Sequence, residues 1–191
     1  MSALNTIDLN NFKKDCEVFF ETGSCFGDGI DYALKFDFKK IISVEVEDKK
    51  IPLLVEKYKS IDKVKIIHDT SINAFAKELP NIKSNIIFWL DAHYPDLIYS
   101  NHADPTSDNY ERIVRMPLEQ ELSFIKNQRI GFKDVIIFDD LNCFIDNGKR
   151  MPDWLKPKIH FEKDFYKKIF SNTHDFLQLE IGETIGILIP K

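Results

Sequence analysis

Carboxylates recur at one kind of place in this chain. Glu21, Glu45, Asp69, Asp91 and the pair Asp139-Asp140 each fall at or beside the end of a short apolar run, with Glu47 two residues beyond Glu45. An acid after a strand often does no more than cap the next helix, because its oxygens accept the free N–H groups of the first turn. Five such places in one chain suggest a second use, since ionised carboxylates also accept hydrogen bonds from ligand hydroxyls and amines, hold hard cations and take up protons. Glycine usage points the same way. The chain has only seven glycines, yet Gly23, Gly27 and Gly29 all fall in the stretch "ETGSCFGDG" after the first run, with Ser24 between them. Glycines so placed let a backbone turn tightly and approach a bound molecule closely.

Two further segments concentrate hard oxygen donors. "FWLDAHY" (88–94) carries Asp91 and "IIFDDLN" (136–142) carries Asp139 and Asp140, with Asn142 as an alternative donor. If the two strands are neighbours, the three acids form a site suited to Mg²⁺, which takes few carboxylates and keeps several waters. His93 follows Asp91 by two residues, and an imidazole that titrates near neutrality is a candidate general base, with His102 as the substitute.

The elements that must position these residues are legible as alternating apolar runs and amphipathic stretches. The runs "EVFFET" (17–22), "KIISVEV" (40–46), "KVKIIHD" (63–69), "NIIFWLD" (85–91) and "DVIIFDD" (134–140) are short, continuous and rich in β-branched or aromatic residues. That is the pattern of strands covered on both faces. Helices are predicted over 27–36, 48–59, 71–79, 116–128 and 161–172, with Pro117 suited to a first helical turn. Strand and helix in regular alternation imply a parallel sheet with right-handed crossovers. The tail "DFLQLEIGETIGILIPK" departs from this and predicts an antiparallel hairpin turning at Gly182-Glu183.

A chain of 191 residues with 43% hydrophobic content fits a single globular domain over 1–191. Its net charge of -5 argues against a general nucleic-acid binder, which would neutralise phosphates with clustered Lys and Arg. No segment has the form of a signal peptide or a membrane span, so a cytoplasmic location is expected, with a small-molecule substrate and an oligomeric state the sequence leaves open. Cys16, Cys25 and Cys143 lack metal-ligand spacing and are odd in number, which favours reduced thiols.

The spacing Glu21-x-Gly23-x-x-x-Gly27-x-Gly29 after the first strand resembles motif I of class I S-adenosylmethionine-dependent methyltransferases, in the form found in the catechol O-methyltransferase-like branch. The resemblance covers nearly the whole chain and implies the α/β, Rossmann-like class I methyltransferase fold, a mostly parallel seven-stranded sheet with a C-terminal antiparallel hairpin. It implies that Gly23 approaches the methionine portion of the cofactor, that Glu45 accepts both ribose hydroxyls and that Asp69 lies near the adenine amino group. Glu21, Ser24, Gly27, Gly29 and Asp91 complete the implied cofactor site. The acids at 91, 139 and 140 look like the metal site of Mg²⁺-dependent catechol and sugar O-methyltransferases, and His93 stands where the sugar-modifying relatives carry an acidic base. A short N-terminal extension is the main departure, which implies few extra helices over the substrate. The segment "FWLDAHY" is also similar to one in surface-polysaccharide methyltransferases, which makes a sugar-containing acceptor the first expectation.

Residues 95–115 read as a substrate-facing lid, with Tyr94, Tyr99, His102 and Tyr110 as candidate contacts. Residues 141–157 read as the opposite wall, with Arg150 and Trp154. Three rivals remain. A nicotinamide-binding Rossmann protein also uses a glycine loop and an acid after strand two, but Gly-x-Gly-x-x-Gly is absent here. A non-catalytic cofactor-binding subunit would keep Glu45 and Asp69 without needing His93. A phospho-acceptor signalling domain would place its acid pair after the first strand.

Overall fold

In a computed structural model the chain is described over residues 3–92, 117–139, 141, 164–181 and 183–191. Seven strands form one sheet: β1 (Cys16–Thr22), β2 (Lys40–Glu45), β3 (Val64–His68), β4 (Asn85–Leu90), β5 (Val135–Phe138), β6 (His174–Ile181) and β7 (Glu183–Pro190). Their spatial order is β3-β2-β1-β4-β5-β7-β6. Strands β1 to β5 pair in parallel, while β7 runs antiparallel to both β5 and β6. The predicted hairpin is therefore present, its strands pairing up to Ile181 and Glu183 on either side of residue 182.

The described elements also include helices α1 (Asn10–Lys13), α2 (Asp28–Ala33), α3 (Ile51–Tyr58), α4 (Ser71–Glu78), α5 (Leu118–Gln128) and α6 (Phe165–Phe170), with short 3-10 turns at Ala3–Thr6 and Leu79–Asn81. Several are shorter than predicted, for local reasons. Pro52 lacks an N–H and fits only the first turn, so α3 begins at Ile51 instead of residue 48. Asp164, at φ +58°, sets the start of α6 at Phe165.

Strand alternation sends successive side chains to opposite faces, and each face has its own core. Val18 and Phe20 of β1 pack with Phe75 of α4, Leu122 and Ile125 of α5, and Tyr166 of α6. Phe19 packs on the other face with Ile30 of α2, Leu54 and Tyr58 of α3. At the hairpin, Gly186 sits across from Phe138, and a Cβ there would run into the Phe138 ring. That ring packs tilted against Tyr166, 5.6 Å away between centroids.

The amino ends of β4 and β5 are tied by one buried ion pair. Arg129, just past α5, donates through Nε to Asp134 Oδ2 and through Nη2 to Oδ1, both at 2.8 Å. Its remaining donors reach the carbonyls of Ile82 and Ser84, each at 2.6 Å, while Asp134 Oδ1 also accepts the Ile86 N–H at 2.8 Å. Nearby, burial and then the Asp134 charge push the Cys16 thiol up to about 11, so Cys16 is inert at neutral pH.

The sheet order reverses between β1 and β4: β2 and β3 lie to one side of β1, and β4 and β5 to the other. In open α/β sheets the crevice at the carboxyl ends of the strands flanking such a reversal is where ligands bind. Glu21, Gly23 and Asp91 all lie there.

Candidate functional site

Backbone hydrogen bonds carry the ladder one residue past the strands and fix the main chain of three of the acids. Asp69 N–H donates to Glu45 O, Asp91 N–H to Thr22 O and Asp139 N–H to Leu90 O, each at 3.1 Å. On the far side of β1, the N–H groups of Gly23 and Ser24 both donate to Val44 O, at 2.9 and 3.0 Å. Gly23 has φ +85°, and a Cβ on it would lie 2.5 Å from the Asp91 carbonyl oxygen. The loop after β1 thus presses directly on the chain leaving β4, and only glycine permits both the backbone angle and the approach.

A buried polar chain lies under this loop. Ser24 Oγ and Ser43 Oγ are 2.5 Å apart, and Ser43 Oγ donates to the Glu21 carboxylate. Glu21 itself abuts the first turn of α2, where a Cβ on Gly29 would collide with its Oε1. Gly29 therefore makes room for the acid, while Gly27 (φ +86°) makes the turn into α2. Burial pushes the Glu21 carboxyl up to about 8; the Ser43 hydrogen bond opposes this, and the charges of Asp91, Glu45 and Asp28 add to it. Above the ordinary carboxyl value of 4.5 the folded chain keeps a proton that the unfolded chain releases. Its contribution to stability is complete below that value and is lost as pH rises to about 8. Glu21→Gln should remove this dependence. Urea unfolding at pH 5, 6.5 and 8 should show wild type losing stability relative to the variant by up to about 1.4 kcal/mol per pH unit. Parallel curves would mean that Glu21 is ionised in the folded chain.

Glu45 ends β2 and is buried. Its Oε1 accepts the N–H groups of Val46 and Glu47, both at 2.9 Å, and its Oε2 accepts the Cys25 N–H at 2.8 Å. About one of the four lone-pair sites of a carboxylate is then left for a ligand hydroxyl. Asp69 is held differently. Its Oδ1 accepts from the Thr70 N–H and Asn73 Nδ2, both at 2.8 Å, and its Oδ2 pairs with Lys77 Nζ at 2.6 Å. The Lys77 contact, against the opposing effect of burial, keeps its pKa below the ordinary value. This acid fastens the start of α4.

Asp91 and Asp139 sit on adjacent strand ends, as expected if β4 and β5 are neighbours; Leu90 and Phe138, the residues before them, pair in the sheet. His93 and Asp140 lie outside the described residues, as do the proposed lid contacts, Asn142, Arg150 and Trp154. Among the described residues no group of three His, Cys, Asp or Glu side chains comes together as a metal site.

Three residues of the site went unread in the sequence. Ser43, in the middle of an apolar run, links Ser24 to Glu21. Val46 is an exposed apolar residue directly after Glu45. Glu121 is buried on the core stripe Leu118, Leu122, Ile125 of α5. Among the described residues its Oε1 and the Thr22 Oγ1 lack a hydrogen bond of good geometry, although the Thr22 and Ser71 hydroxyls lie close enough to act on its titration. Burial pushes this acid up to about 7; Ser71 and Thr22 oppose the shift and Asp91 adds to it. An acid at helical spacing within an apolar stripe was the available signal.

No family model matches the chain, and no curated protein does. Solved structures do. A candidate caffeoyl-CoA O-methyltransferase from Staphylococcus aureus superposes with a TM-score of 0.63 at 14% identity, over 98% of this chain and 80% of its own. A candidate rRNA methylase from Clostridium thermocellum gives 0.61 at 12% identity, over 100% and 98%. An S-adenosylhomocysteine-bound methyltransferase from Podospora anserina gives 0.56 at 16% identity, over 92% and 72%. The chain has the Rossmann-like fold of class I S-adenosylmethionine-dependent methyltransferases: a seven-stranded sheet, parallel except at its C-terminal end. No helix among the described residues is long and apolar enough to cross a membrane.

Proposed function

We propose that this protein is an S-adenosylmethionine-dependent O-methyltransferase acting on a small hydroxylated acceptor, with a sugar or sugar-containing metabolite as the first candidate. The observation that carries the reading is that Gly23, at the carboxyl end of β1 where the sheet order reverses, opens a glycine loop tied through Cys25 N–H to Glu45 at the carboxyl end of the neighbouring β2. A nicotinamide-binding Rossmann sheet keeps its sixth strand parallel, whereas this one closes with an antiparallel hairpin, and that difference favours the methyltransferase reading.

When bound, the cofactor supplies an electrophilic methyl group on a sulfonium. The chain's own residues do the rest. Glu45 accepts a ribose hydroxyl with its remaining lone pair, Val46 packs on the adenine, and Asp69 reaches the adenine amino group only by sharing the carboxylate that now holds Lys77. Gly23 and Ser24 shape the floor under the methionine portion. Transfer is an in-line displacement, so the acceptor oxygen must be aligned with the methyl carbon and its proton removed. Asp91 lies at the reversal point and His93 two residues on, and we assign proton removal to His93 with Asp91 orienting the acceptor.

Mg²⁺ is part of this proposal. Asp91 and Asp139 on adjacent strand ends, with Asp140 directly after Asp139 in sequence, are a donor set of the hard type it takes. When bound it would lower the pKa of the acceptor hydroxyl and fix its direction. The acidic balance of the chain favours a small acceptor over nucleic acid.

The test is transfer of isotopically labelled methyl from S-adenosylmethionine to nucleotide sugars, catechols and ribosomal RNA in parallel. Label on a sugar or catechol hydroxyl, lost on adding EDTA and reduced at least about 100-fold in Asp139→Asn, is the expected result. Label on RNA alone would replace the small-acceptor reading, and full activity in EDTA would remove the metal.

A further inference from the structure

We propose that Tyr58 is a positioning residue for the cofactor site, acting through the glycine loop; the proposal rests on the methyltransferase reading above. Tyr58 is the last residue of α3 and is buried, with its ring in the core that also holds Ile30 and Ala33 of α2. Its Oη lies 2.8 Å from the carbonyl oxygen of Gly27 and 2.7 Å from Asp31 Oδ1. Gly27 is the residue whose left-handed backbone turns the loop into α2, and a Cβ on it would strike the Tyr58 hydroxyl. The loop therefore closes directly on the phenol.

Four of the loop's other ties run to β2. Gly23 N–H and Ser24 N–H go to Val44 O, Ser24 Oγ to Ser43 Oγ, and Cys25 N–H to Glu45 Oε2. Tyr58 holds the loop's far end, and Lys57 reinforces it by donating from Nζ to Phe26 O at 3.1 Å. Lys57 is nearly half exposed, so water and salt screen its contribution; Tyr58 is shielded, which makes the phenol the decisive clamp. With its carbonyls at 26 and 27 drawn back toward α3, the loop keeps Cys25 N–H on the Glu45 carboxylate. The acceptor of the ribose hydroxyl is thus oriented before any ligand arrives.

A phenol has one proton, and both of its neighbours here are acceptors. Gly27 O and Asp31 Oδ1 compete for it, while Lys57 Nζ holds Asp31 Oδ2 at 2.7 Å. Burial, and then the hydrogen bond to Asp31, raise the Tyr58 pKa, so the phenol stays neutral and the competition persists at every working pH. Removing the hydroxyl and removing its competitor should therefore act in opposite directions. A general loss of packing would loosen the site in both cases.

The experiment pairs Tyr58→Phe with Asp31→Ala. Two readouts are taken: the dissociation constant for S-adenosylhomocysteine, and amide hydrogen exchange of residues 24–29 in the free protein. Tyr58→Phe keeps the ring and should fold; its dissociation constant should rise about tenfold, with loop exchange faster by a similar factor and exchange in β1 and β2 unchanged. Asp31→Ala, which leaves the phenol proton to Gly27 alone, should bind within about twofold of wild type or more tightly. Unchanged affinity in Tyr58→Phe, or equal weakening in both variants, overturns the proposal. If wild type binds no S-adenosylhomocysteine while loop exchange in Tyr58→Phe is still accelerated, the clamp stands and the cofactor reading falls.

Discussion

Glu45→Ala should weaken binding of S-adenosylhomocysteine by roughly 100-fold, about 2.8 kcal/mol, the worth of one hydrogen bond to a charged acceptor. The carboxylate does two things at once, and the variant loses both. It offers its remaining lone pair to a ligand hydroxyl, and it holds the N–H groups of Cys25, Val46 and Glu47 in place. Affinity should therefore fall together with stability, by about 1–3 kcal/mol for donors left without their acceptor. Glu45→Gln separates the two effects. Its amide oxygen can keep the bonds to Val46 and Glu47, but its NH₂ would face the Cys25 N–H, donor against donor, so the loop should move while the end of β2 holds. Calorimetric titration of the three proteins should rank wild type, Gln and Ala in falling affinity. A Glu45→Ala protein that binds as wild type does would end the ribose assignment.

The largest loss of stability should follow Arg129→Ala. Removing one partner of a buried ion pair typically costs about 3–5 kcal/mol, because the other charge is left without compensation. Here the stranded group is Asp134, whose Oδ1 would retain only the Ile86 N–H, and the carbonyls of Ile82 and Ser84 would lose their donors as well. Both side chains are almost wholly buried, at 2% and 3% exposure, so solvent cannot make up the difference. Urea unfolding should show the unfolding free energy falling by that amount, with the midpoint lowered and the slope unchanged. Because the pair lies at the amino ends of β4 and β5, the protein that remains folded should bind ligand as before. A loss under about 1 kcal/mol would mean that water reaches Asp134.

The sheet was readable because its strands are continuous β-branched and aromatic runs, each closed by an acid, and because the tail switches to a hairpin pattern. Every predicted strand exists within two residues of its expected ends. Helix ends were less legible, since they depend on local geometry such as Pro52 at the start of α3 and the positive φ at Asp164. In the site, the glycines could be read because tight turns restrict residue type so strongly. The state of the acids could not. Whether an acid braces the start of a helix, as Asp69 does through Thr70 N–H, Asn73 and Lys77, or is buried with a raised pKa, as Glu21 is, depends on local backbone geometry for the one and on burial within the folded sheet for the other. Glu121 went unread because an acid on a helix suggests solvent until the face it shares with Leu118, Leu122 and Ile125 is known. His93 and Asp140, on which the chemistry of the proposal depends, lie outside the described residues.

The loop from Gly23 to Gly29 and the acid Glu45 should bind an adenosyl cofactor. Calorimetric titration of the wild-type protein with S-adenosylhomocysteine, beside NAD as a control, tests it most directly. Saturable binding of S-adenosylhomocysteine with a dissociation constant in the micromolar range, on the order of −8 kcal/mol, and none of NAD is the predicted result. Binding of NAD alone, or of neither, would contradict it.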